Sequence, residues 1–86
     1  MKALILRQEV GWDGKPESEP ETTTEGSERD VRCEMARVLR SARESGCSVC
    51  KLPTPGWKPG TARRWGVNAG AGGLTEFVLL RISEGV

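Results

Sequence analysis

Hydrophobic positions recur along the chain with two different periods. Between residues 28 and 45 the period is helical. With Val31 set to zero and roughly 100° added per residue, Val38, Ala42, Met35 and Leu39 fall within an arc of about 100°. Arg32, Arg43, Arg29, Arg40 and Arg37 fill the opposite arc, from roughly 100° to 240°. The ends of this stretch carry helix punctuation. Ser27 suits an N-cap, Asp30 sits at the third helical position, and Glu28 and Asp30 complement the positive end of the helix dipole. Gly46 suits the stop. The pattern predicts a helix over 28–45 with one apolar face and one arginine face.

Elsewhere the period is two. In residues 2–10, Leu4, Leu6 and Val10 alternate with Arg7 and Glu9, which predicts a short strand. Residues 74–82 (LTEFVLLRI) are compatible with a strand, by their β-branched and aromatic content, or with a short helix capped by Thr75 and stopped by Gly85. The strand is preferred, because the N-terminal strand needs a partner. The intervening stretches read as irregular. Residues 11–27 (GWDGKPESEPETTTEGS) have the composition of a disordered acidic linker. Residues 47–66, with three prolines, read as a polyproline-like loop, and 66–73 (GVNAGAGG) as a glycine loop. The expected fold class is therefore α+β: a single small domain, 1–86, with one amphipathic helix on a short two-stranded sheet built from the N- and C-terminal segments. Leu, Ile, Val and Phe number only 17 of 86 residues, near the lower limit for a packed core, so a partly folded chain stays open as an alternative.

Charge sharpens this picture. The net charge is +1, but residues 1–30 carry four basic and eight acidic side chains, whereas residues 31–65 carry eight basic and two acidic. An acidic arm thus precedes a basic middle, and the arm is placed to compete for the arginines. No apolar run is long enough for a membrane span or a signal peptide, which makes the cytoplasm the expected compartment. Three cysteines, an odd count, do not suggest a disulfide framework. The chain has no histidine, and with it loses the commonest general base and metal ligand.

Cys47 and Cys50 form a Cys-x-x-Cys pair, but a helix would hold Cys33 roughly 21 Å from Cys47, beyond sharing one zinc ion. The pair also follows a helix C-terminus, where the dipole disfavours a thiolate. No metal site is expected. The stretch Gly70-Ala71-Gly72-Gly73-Leu74-Thr75 resembles the nucleotide-binding turn of ubiquitin-activating-type adenylating enzymes. Thr75 stands where that pattern has its third glycine, needed for close helix–strand packing, and no phosphate-binding lysine follows. The start Met1-Lys2-Ala3-Leu4-Ile5-Leu6 resembles the first strand of medium-chain zinc alcohol dehydrogenases, with no catalytic or metal residue to carry over. No cofactor and no enzymatic activity are expected.

What remains is basic plus aromatic. Arg29, Arg32, Arg37, Arg40 and Arg43 on the helix, with Trp57, Lys58, Arg63, Arg64 and Trp65 beyond it, suit RNA or single-stranded nucleic acid: arginine pairs with phosphate and tryptophan stacks on an unpaired base. The competing reading is a protein-interaction module using the apolar helix face of Val31, Met35, Val38, Leu39 and Ala42. A chance open reading frame without evolved function fits the composition as well. The oligomeric state is left open.

Overall fold

The computed structural model of the protein describes residues 2–54, 56, 57, 60–68, 70 and 73–82. In chain order the elements are β1 (Lys2–Gly11), β2 (Glu21–Ser27), α1 (Glu28–Glu44), β3 (Ser48–Leu52), β4 (Ala62–Asn68) and β5 (Gly73–Ile82). The strands form one antiparallel sheet in the order β2-β1-β5-β4-β3. The expected two-stranded sheet is therefore only the central pair of a larger one. β1 and β5 do pair over their whole length, from Lys2 opposite Ile82 to Gly11 opposite Gly73.

Three strands lie where loops were expected, and each has a local cause. β2 occupies the supposed disordered linker. Its threonines, Thr22, Thr23 and Thr24, are β-branched and favour extended backbone. Its polarity on both sides suits a sheet edge, where β1 supplies the backbone partners on one side only. Thr23 forms a bulge and donates its hydroxyl to the Ile5 carbonyl at 3.5 Å. The rest of the linker is tied back to β1: Glu17 N donates to the Glu9 carbonyl at 2.8 Å, and Gly11 N to the Lys15 carbonyl at 2.9 Å. β3 and β4 occupy the supposed polyproline-like loop. In β4 the alternation is real, with Trp65 and Val67 directed to the core side and Arg64 and Gly66 to the other.

The helix forms as its caps require. Ser27 Oγ accepts from Asp30 N at 3.2 Å. At the other end Gly46 N donates to the Arg43 carbonyl and Cys47 N to the Ala42 carbonyl, both at 3.0 Å, with Gly46 at φ +88°. These are the paired bonds of a Schellman stop, and they need glycine's freedom at positive φ.

The apolar helix face is buried within the chain. Val31, Met35 and Leu39 pack on Ala3 and Ile5 of β1, Val67 of β4 and Leu79 of β5, with Ala42, Val49, Trp65 and Phe77 around them. Val38 is half-buried. Ser27 sits beside Lys2 at one end of the β2 edge, and Ser48 beside Asn68 at the opposite end of the β3 edge. A helix joining those two points crosses the sheet diagonally. It leaves uncovered the corner where β4 begins, and that corner is where the candidate site lies.

Candidate nucleic-acid interface

The diagonal crossing opens a cavity of about 440 Å³ between α1 and the early part of β4. Its floor is apolar: Met35 and Leu39 from the helix, Trp65 from β4 and Leu79 from β5. Its rim is arginine: Arg32 and Arg43 from the helix, Arg63 from β4 and Arg81 from β5. Arg32, Ala36, Leu39 and Arg43 are spaced by four, three and four residues, so one flank of the helix supplies them all. Arg63 and Trp65 lie two apart in a strand and point the same way.

The four rim arginines differ in their partners. Arg81 is engaged: its Nε lies 2.9 Å from Glu28 Oε1, and its other nitrogens reach Glu28 Oε2 and the Gly60 carbonyl at 3.2 Å. Arg32, Arg43 and Arg63 have no hydrogen bond or ion pair among the described residues and are exposed. Three unneutralised guanidinium groups from two elements thus border one apolar floor, with a single carboxylate, Glu28, already paired.

The other predicted residues separate into groups. Arg29 lies beside a second, shallower hollow that continues the first along the helix, shared with Arg32, Cys33 and Arg81. Arg40 is exposed on the solvent side of the helix. Arg37 pairs with Glu34 one turn earlier. The Arg37 guanidinium donates to the Glu34 carboxylate and holds its pKa below the usual range, while its own is raised by the same bond. Arg64, expected beside Arg63, is on the opposite face of the sheet. It makes a two-pronged bond to Glu76 at 2.8 and 3.0 Å and donates to the Pro53 carbonyl at 2.8 Å. The Arg63-Arg64-Trp65 cluster is therefore split by the strand's alternation. Trp57 is 40% exposed in the loop before β4 and does not line the cavity. Lys58 lies outside the described residues.

Sequence reasoning missed Arg81 and Glu28. The helical wheel did hold a signal for the rest: Arg32 and Arg43, at roughly 100° and 120°, are the helix arginines nearest the apolar arc. A side chain at that boundary overlooks the seam between helix and sheet. Nor does the acidic arm hang free over this surface. Glu21 lies in β2, with its carboxylate 3.6 Å from Arg7, and Glu28 opens the helix.

The cysteines are dispersed. Cys33 is exposed on the helix, Cys47 packs at the core margin, and Cys50 on β3 donates its thiol to the Gly66 carbonyl at 3.7 Å. Among the described residues no three Cys, Asp or Glu side chains converge on one point. The glycine stretch is divided, with Gly73, Leu74 and Thr75 in β5. Among the described residues no helix is long and apolar enough to cross a membrane.

No protein-family model matches the chain, and neither a curated protein nor a solved structure shows significant similarity to it.

Proposed function

We propose that this chain is a small non-enzymatic binding protein for single-stranded nucleic acid, RNA foremost, and that the seam between α1 and β4 is its contact surface. The observation that carries this reading is the convergence of Arg32, Arg43 and Arg63, all without partners among the described residues, on a cavity floored by Trp65. A volume of about 440 Å³ lies within the range of small-ligand pockets, roughly 300–1,000 Å³. It suits one nucleotide unit rather than a duplex groove. The arginines take phosphates as charge-assisted partners, and Trp65 offers the face or edge of its ring to an unstacked base. The arginines of the described lining are read as phosphate contacts, which position a strand without reading its sequence, so the binding proposed is tolerant of sequence. The cytoplasm is the compartment proposed, supported by three cysteines left as free thiols.

Titration of a fluorescently labelled single-stranded oligonucleotide over a range of salt concentrations tests this. Binding should weaken as salt rises, with a slope of roughly 0.7 per phosphate neutralised. Replacing Arg32, Arg43 and Arg63 together with glutamine should abolish it while leaving the circular dichroism spectrum intact. A wild-type chain that fails to bind at low salt and high micromolar concentration would end the proposal.

The protein-interaction reading through the apolar helix face finds less support, because Val31, Met35 and Leu39 are already packed on the sheet.

A further inference from the structure

The helix covers one face of the sheet, and the other face is apolar too. Registers across β1, β5, β4 and β3 keep residue parity, so even-numbered positions share a face opposite the helix. That face carries Leu4 and Leu6 on β1, Val78, Leu80 and Ile82 on β5, and Leu52 on β3. Leu52, Leu74 and Cys50 side chains gather within 3.5 Å of the position a Gly66 Cβ would take, which places them together on it. An antiparallel sheet with one wet face alternates apolar with polar residues. The pair at its centre instead presents apolar residues on both sides: Ala3 and Ile5 against Leu4 and Leu6, Phe77 and Leu79 against Val78 and Leu80. On this face Val78 is buried among its neighbours, and Leu4, Leu6, Leu52, Leu80 and Ile82 are half-buried.

We infer that this face is the interface of a homodimer, with two copies packed sheet to sheet. Two properties point to a second copy as the occupant. The first is area. Five strands spaced by about 4.8 Å, with some 25 Å of length each, present roughly 600 Å² in projection, before side-chain relief is counted. A standard stable interface buries about 800 Å² per partner, so the face is of the right size to be covered as a whole by its equal. The second is charge. The even face carries Lys2, Arg64 and Glu76, with Glu25 alongside on β2, and its two cations balance its two anions. Arg64 and Glu76 neutralise each other across 2.8 Å. A two-fold interface brings like residues together near its axis, so a net charge would repel itself. This face has none, whereas the helix side holds the unpaired guanidinium groups of Arg32, Arg43 and Arg63. The resulting assembly is a four-layer sandwich, and it leaves both arginine seams facing outward.

Sedimentation velocity of the full chain from 1 to 200 µM, with and without a face variant, tests the inference. The wild type should sediment at twice the 9.4 kDa chain mass at the upper concentrations. Leu80→Lys should shift it to the monomer mass. Because a lysine at the centre of the sheet threatens the fold, a second measurement uses the milder Leu80→Cys in a chain with Cys33, Cys47 and Cys50 changed to serine. Maleimide labelling of that thiol should slow at least tenfold between dilute and concentrated protein. A wild-type monomer at 200 µM overturns the proposal. So does a folded Leu80→Lys chain that still dimerises, or a labelling rate that does not change with concentration.

Discussion

Arg81, near the end of the last strand, and Glu28, the first residue of the helix, hold each other by two contacts of 2.9 and 3.2 Å. This pair joins β5 to the start of α1 and occupies the mouth of the arginine seam. It also removes one cation from the binding surface. Glu28→Gln should free Arg81 as a fourth phosphate partner and steepen the salt slope by up to about 0.7. The stability lost should be no more than about 1 kcal/mol, because Arg81 is 41% exposed and solvent screens the pair. Oligonucleotide titration and urea denaturation of the same variant measure the two effects, and weaker binding would contradict the assignment.

Arg63 and Arg64 are neighbours in sequence and should behave oppositely. Arg63→Gln should weaken nucleic-acid binding and lower the salt slope by about 0.7, with stability nearly unchanged. Arg64→Gln should leave binding alone and destabilise the fold by about 1–3 kcal/mol, because it strands the mostly buried Glu76 carboxylate. If both variants bind alike, the split of the cluster across the sheet is wrong.

Trp65→Ala should cost about 1–3 kcal/mol of single-strand binding if the ring stacks on a base. The side chain also packs against the core, so Trp65→Phe is the control: it keeps an aromatic face and should recover most of the affinity. Quenching of tryptophan fluorescence on titration, reduced in the Trp65→Phe chain, gives an independent reading.

Helix termination rests on two residues. Ser27→Ala should cost about 1 kcal/mol through loss of the bond to Asp30 N. Gly46→Ala should cost about 1–2 kcal/mol, because alanine is strained at φ +88°. Met35→Ala, in the buried stripe, should cost more than either, about 2–5 kcal/mol. Chemical denaturation of the three variants checks the order.

Glu34 has a depressed pKa because Arg37 donates to its carboxylate. A carboxyl lowered on folding stabilises the native state above its ordinary pKa, and the contribution disappears as pH falls through the folded value. Arg37→Gln should return the Glu34 carboxyl to the usual range in an NMR titration. Since Arg37 already has a partner, the same variant should bind oligonucleotide like the wild type.

Local interactions made part of this protein legible in its sequence. The helix could be read almost to the residue because its caps, Ser27 and Gly46, and its Val31-Met35-Leu39 stripe act within the helix itself. β1 was legible by its alternation; β5 was not settled by its own residues, which suit a strand or a short helix, and the strand was preferred because β1 needs a partner. β2, β3 and β4 were not legible. Their residues, the threonines of 22–24 and the Arg63-Arg64-Trp65 run among them, become strands because β1 offers β2, β5 offers β4, and β4 in turn offers β3 a row of unpaired backbone donors and acceptors. That demand comes from a partner strand, with paired residues 8 (Val67 and Thr75) to 25 (Lys2 and Ser27) positions apart, and not from the responding segment's own composition. The arginines show the same division. The sequence alone determined that a helix would carry them opposite its apolar face. Which ones meet at a cavity, and that Arg81 spends its charge on Glu28, was decided only by the tertiary structure, because the diagonal path of α1 sets which guanidinium groups it overlooks, whereas Arg37 meets Glu34 within the helix and Arg64 meets Glu76 across β4 and β5 on the far face.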